Sequence, residues 1–166
     1  GVILVLGMNV PLEIVAVYAT HRSACGLIGY IGSLIQSPLW PELTFFHTQG
    51  RREDLSRVAL LAVKTVVLLS GFAAIGLWLF LPLIYPIWTG RQLQFQPVLL
   101  SLFLLQAVLM AGWSTSAWSL LSSNQHSRLA LWSLMNAILT IFLAVILGPR
   151  FGAVGVLLAT LLGDVI

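Results

Sequence analysis

Leu39-Trp40-Pro41-Glu42-Leu43-Thr44-Phe45-Phe46-His47-Thr48-Gln49-Gly50-Arg51-Arg52-Glu53-Asp54-Leu55-Ser56-Arg57 is the one strongly polar stretch of an otherwise apolar chain. It holds three of the eight Lys and Arg residues and three of the five acids. Long apolar runs flank it on both sides. A soluble domain carries roughly a quarter charged residues. Here 8% are charged and 59% are hydrophobic, and mean hydropathy is +1.01. Too few polar residues remain to coat a soluble 166-residue fold. The composition predicts a polytopic membrane protein. The apolar runs are continuous rather than alternating, so they predict helices and not barrel strands.

Outward from this stretch, a spanning helix needs about 20 mostly apolar residues. Residues 1–8 are apolar but short, and Asn9-Val10-Pro11-Leu12-Glu13 reads as a surface turn. The segment 14–40 parses in two ways. Either it breaks at 18–22, or it is one long span enclosing His21 and Arg22. The second parsing is preferred, because Pro11 and Glu13 already supply a helix start and nothing at 18–22 breaks a helix. Pro38 and Pro41 are expected to end that helix. Further spans are expected over 60–81, 98–121, 129–147 and 151–166. The Pro82 to Gly90 segment reads as an interfacial exit, residues 91–96 and 122–128 as loops, and Gly148-Pro149-Arg150 as a tight turn. The expected fold is therefore an all-α integral membrane bundle of six spans, forming one lobe over 1–166. The first and last spans are incomplete, so the chain reads as a fragment of a longer protein.

Arginine counting sets the orientation. Arg51, Arg52, Arg57 and Arg128 share one side, while Arg91 and Arg150, with Glu13, share the other. The polar stretch is thus expected in the cytoplasm. The net charge of +3 reports orientation and lipid headgroups, and the aromatic-basic interleaving of a nucleic-acid binder is absent.

Arg22 is the sharpest candidate for function. It lies nine residues past Glu13, roughly 13 Å along a helix. A cation at that depth costs about 2.5–3.5 kcal/mol on insertion scales, so it normally faces a bundle interior or a wet cavity. The bland alternative is a side chain that snorkels to the surface. Lys64, about two turns into its span, carries the same two readings. Gln106, Ser114, Thr115, Ser116 and Asn136 read as interhelical glue, and the six Trp as belt and packing residues. Among these, Trp113 and Trp118 are candidates to face a sugar. Asp164 reads as an acid flanking a span. The single Cys25 has no partner for a disulfide. His21, His47 and His126 lack ligand spacing, so no metal site is expected. No catalytic constellation or cofactor fingerprint is present, which argues against an enzyme.

Several of these residues carry a family resemblance. Ile14-Val15-Ala16-Val17-Tyr18 leading to Arg22, Pro41-Glu42 at the helix exit and the Gln49-Gly50-Arg51 turn resemble the second half of the polysaccharide flippases. So do Trp88-Thr89-Gly90 and Asn136 followed by Gly152-Ala153-Val154-Gly155. These translocases of O-antigen and other lipid-linked oligosaccharides belong to the multidrug/oligosaccharidyl-lipid/polysaccharide exporter superfamily. The resemblance implies two six-helix lobes around a central cavity, with this chain as the C-terminal lobe and an N-terminal lobe missing. It implies a multi-pass protein of the bacterial inner membrane whose substrate is a polyprenyl-pyrophosphate-linked glycan. Arg22 and Lys64 would then offset phosphate charge, with Glu42 at the cytoplasmic mouth. No cofactor is implied, and a coupling ion is left unassigned. Two rivals stand beside this reading: a multidrug antiporter of the same superfamily, which needs an intramembrane carboxylate, and a membrane assembly subunit that transports nothing.

Overall fold

A computed structural model describes Gly7, residues 11–122 and residues 126–165. Four helical elements follow one another: α1 (Leu12–Thr48), α2 (Arg52–Trp88), α3 (Pro97–Ser122) and α4 (His126–Val165). No strand occurs among the described residues. Three helices are long and apolar enough to cross a membrane: α2, α3 and α4. Their outward faces are apolar. On α2, for example, Phe72 and Leu83 are each 70% exposed. Apolar surface on that scale calls for a lipid surround, and the chain is a membrane-embedded helical bundle.

The six expected spans are not found. The segment 1–8 lies outside the described residues except for Gly7. Helix α4 holds the two segments expected at 129–147 and 151–166 as its two limbs, joined at a kink without a separate loop. It stays helical through Gly148, Pro149 and Arg150 and breaks only at Gly152, with φ 58° and ψ −136°. That backbone region is essentially reserved for glycine. The physical reason is thus a residue without a Cβ, placed two positions later than the expected turn. At Gly152 the chain folds back, and the two limbs of α4 pack antiparallel. A Cβ at Gly148 would stand 3.3 Å from Val156, and one at Gly163 would stand 2.6 Å from Asn136 Oδ1 and collide with Thr140.

The prolines do not end α1 or α2 either. Pro38 and Pro41 lie inside α1, and Pro82 and Pro86 lie inside α2. Each proline deletes one backbone donor and strains the preceding turn. The helices continue because the following turn is anchored. Leu43 is buried, and Trp40 meets Trp118 of α3 edge-on, with ring centroids 4.6 Å apart. Both helices stop instead at glycines. Gly50 has φ 69° and Gly90 has φ 59°. After α1, Gly50 N–H donates to His47 O and Arg51 N–H to Phe46 O. After α2, Gly90 N–H donates to Ile87 O and Arg91 N–H to Pro86 O. This paired pattern closes the last carbonyls of a helix around a left-handed residue. The expected polar loop of 41–57 therefore shrinks to Gln49, Gly50 and Arg51. At 37 residues each, α1 and α2 are about 55 Å long. Helix α2 outreaches a hydrocarbon core of about 30 Å, whereas α1, which includes the span expected at 14–40, is one helix but is not among those apolar enough to cross.

Helix α3 is the centre of the bundle. It packs on α1, α2 and α4, whereas among the described residues the α4 backbone comes close to α1 at few points and to α2 at none. The core gathers Tyr18 and Ile28 of α1, Tyr85 of α2, Leu99 and Leu100 of α3, and Val156 and Leu157 of the second α4 limb. Two polar seams join the helices. Gln36 of α1 donates from Nε2 to Ser114 Oγ and Thr115 Oγ1 of α3, both at 2.9 Å. At the other end, fully buried His21 bonds Val17 O at 2.8 Å through Nδ1, while Nε2 lies 3.4 Å from the Gln96 N–H. Both contacts are satisfied by one neutral tautomer, with the proton on Nδ1. Phe95 stacks on the His21 ring at 5.5 Å, and Tyr85 lies 4.8 Å away.

Candidate functional site

Two clefts open beside α3, one on each flank. The first, about 350 Å³, lies between α1 and α3 and is closed by Thr160 of α4. On α1 its wall is Tyr18, Arg22, Gly26 and Gly29, spaced to share one helix face. The space beside both glycines is open, since a Cβ on either would meet nothing within 4 Å. Tyr18 is held edge-on against Phe103, with ring centroids 4.9 Å apart. From α3, Gln106 and Ser114 add polar groups.

Arg22 is exposed at this cleft. Helices α1 and α3 run parallel, with Tyr18 beside Phe103 and Gln36 beside Thr115. The adjoining His21 accepts from the Gln96 N–H, so Arg22 lies within about one turn of the level of the 89–96 connection. Its side chain borders the cleft.

The second cleft, about 610 Å³, lies between α3 and the first limb of α4. Trp113 and Ser116 line it from α3, Trp132, Ser133, Asn136 and Thr140 from α4, and Asp164 from the returning limb. Thr140 Oγ1 donates to Asn136 Oδ1 at 2.9 Å. Between the clefts, Gln106 Nε2 donates to Asp164 Oδ2 at 2.8 Å. Gln106 lines the first cleft and Asp164 the second, while Met110 lines both.

Of the three residues singled out from sequence, only Arg22 lines a cleft. Lys64 and Glu42 are exposed and line neither. The structure does not bring the three together. Trp113 faces the larger cleft, whereas Trp118 is engaged with Trp40. Ser114 and Thr115 serve as interhelical glue, as expected. Asp164 is the residue that sequence reasoning misplaced. Its position beside Gln106, nine residues into α3, is inside the bundle rather than at its edge. The fold at Gly152 sets its depth: twelve residues past it is about 18 Å, more than half of a hydrocarbon core of about 30 Å.

No group of three or more His, Cys, Asp or Glu side chains that could hold a metal ion occurs among the described residues. Cys25 is a buried free thiol. Comparison with family models, curated proteins and solved structures finds no match.

Proposed function

We propose that this chain is one lobe of a transporter that carries a lipid-linked oligosaccharide, the precursor of a surface polysaccharide, across the bacterial inner membrane by alternating access. The observation that carries the reading is the Arg22 cleft. It puts a cation, an amide and a hydroxyl around a space that is open beside Gly26 and Gly29. An arginine suits a pyrophosphate, which accepts paired charge-assisted hydrogen bonds. The phosphate falls to Arg22 alone, because Lys64 and Glu42 stand away from the cleft. The Arg51, Arg52 and Arg57 end faces the cytoplasm in this reading. A bundle with two clefts against one central helix suits rocking of one lobe against another.

The test is genetic. Arg22→Ala at wild-type protein abundance is expected to abolish surface polysaccharide, and Arg22→Lys to retain part of it. Unchanged polysaccharide at normal abundance would sink the assignment.

Asp164 favours a second reading, a cation-coupled multidrug antiporter. Its carboxylate lies inside the bundle with a neutral amide as hydrogen-bond donor, and a carboxylate so placed is suited to exchange a proton or cation. Dye efflux from everted vesicles separates the two. Loss of efflux in Asp164→Asn with surface glycan intact supports the antiporter, and no efflux in the parent protein excludes it.

A further inference from the structure

The larger cleft sets a polar stripe into a mainly apolar lining that includes Met110, Leu129 and Ile141. Along the first limb of α4 most outward residues are apolar, including Leu131, Leu134, Met135 and Ile138. Ser133, Asn136 and Thr140 break that pattern on the face that lines the cleft. Their spacing of three and four residues aligns them on a single helical stripe. Two indoles flank this stripe from opposite walls, Trp113 at 44% and Trp132 at 56% exposure. Asp164 stands behind them at the Gln106 bond.

Thr140 already satisfies Asn136 Oδ1, and Gln106 satisfies Asp164 Oδ2. An acyl chain would offer the remaining carboxylate lone pairs and amide hydrogens nothing to bond, at a cost for every desolvated polar group. An organic cation would answer Asp164 but not the amide and hydroxyls. A sugar ring answers all of them. Its C–H face packs on an indole plane, and its hydroxyls donate to the carboxylate and exchange hydrogen bonds with the amide and hydroxyl groups. A volume of about 610 Å³ falls in the usual range of small-molecule sites. We infer that this cleft is a sugar-ring subsite, with Trp113 and Trp132 as stacking surfaces and Asn136 and Asp164 as hydroxyl partners. The inference rests on the transporter reading and assigns the two clefts to the two ends of one molecule. Phosphate lies at Arg22, sugar lies between the tryptophans, and Met110 is the shared wall.

Saturation-transfer NMR tests it by observing the sugar itself. The purified chain in lipid nanodiscs is mixed with equimolar glucose, galactose and N-acetylglucosamine, with glycerol as an acyclic polyol control. Transfer to ring protons of at least one sugar, exceeding that to glycerol, is expected. Each Trp→Leu change at 113 or 132 should weaken binding about three- to tenfold. Trp→Phe at the same sites should retain most of it, which separates a lost ring from a misfolded chain. Transfer no greater than to glycerol, or equal transfer in the Trp113→Leu/Trp132→Leu double variant, overturns the subsite. The two proposals fail separately. If Arg22→Ala abolishes surface polysaccharide while the double variant exports normally, the subsite falls and the transporter reading stands. If sugar transfer depends on both indoles while Arg22→Ala exports normally, the subsite stands as a binding site and the Arg22 assignment falls.

Discussion

Gln106 Nε2 donates a 2.8 Å hydrogen bond to Asp164 Oδ2 across 58 residues of sequence. It ties the central helix to the returning limb of α4 and divides one cleft from the other. Removing only one partner leaves the other polar group stranded, whereas removing both leaves nothing to satisfy. Gln106→Leu is therefore expected to cost about 1–3 kcal/mol. The Gln106→Leu/Asp164→Leu double variant should recover most of that loss. Denaturant unfolding in detergent reads both values, and a double variant as unstable as the sum of the singles would refute the pairing.

Gly152 makes that bond possible. With φ 58° and ψ −136°, a Cβ there is strained whatever the surrounding space. Gly152→Ala is expected to lower stability by about 1–3 kcal/mol. A control lies in α2, where a Cβ on Gly71 or Gly76 would meet nothing within 4 Å. Alanine at those helical sites should be neutral or stabilising by up to about 1 kcal/mol. Thermal unfolding of the three variants side by side decides the point, and equal shifts would remove the special role of Gly152.

Gly26 offers a change that separates cleft from fold. Gly26→Leu projects into the Arg22 cleft without meeting another atom at its Cβ. Stability should hold within about 0.5 kcal/mol, as for substitutions remote from packing, while export of surface polysaccharide falls. Gly112→Ala is the opposite case, because its Cβ would stand 2.9 Å from Val67 Cγ2. Overpacking there should cost about 1–3 kcal/mol. Normal export with Leu at 26 would argue that the cleft is not on the transport path.

His21 anchors the 89–96 connection to α1. Its ring is fully buried against Tyr85 and Phe95 and bridges Val17 O and the Gln96 N–H. His21→Ala empties that space and leaves Gln96 N–H without this acceptor, at an expected cost of about 2–4 kcal/mol. His21→Phe keeps the ring but not its nitrogens and should cost less. Proteolysis within 89–96 is the direct readout. Equal resistance in the parent and the Ala variant would show that the connection is held by other contacts.

The membrane character, the helical class and the 91–96 connection were legible in the sequence, because hydropathy and continuous apolar runs are local properties. The Gln49-Gly50-Arg51 turn was legible too. Yet it was outweighed by Pro38 and Pro41, whose helix-breaking tendency is a local cost that anchoring by Leu43 and the Trp40–Trp118 contact overrides. Arg22 was legible because an isolated charge in an apolar run is expensive. Asp164 was not, because its depth depends on where α4 folds back.

The polar stretch from Leu39 to Arg57 shows the same division. Sequence alone determined that it is a charged cap between two apolar helices, since its composition permits nothing else in a membrane. Only the tertiary structure decided that most of it is helix and that the reversal occupies Gln49, Gly50 and Arg51. Sequence likewise determined which residues carry charge, while packing against α3 decided which of them share a cleft. Charge and hydropathy belong to single residues. Proximity belongs to the fold, and here it is set by a left-handed glycine at 152 and a central helix that touches all its neighbours.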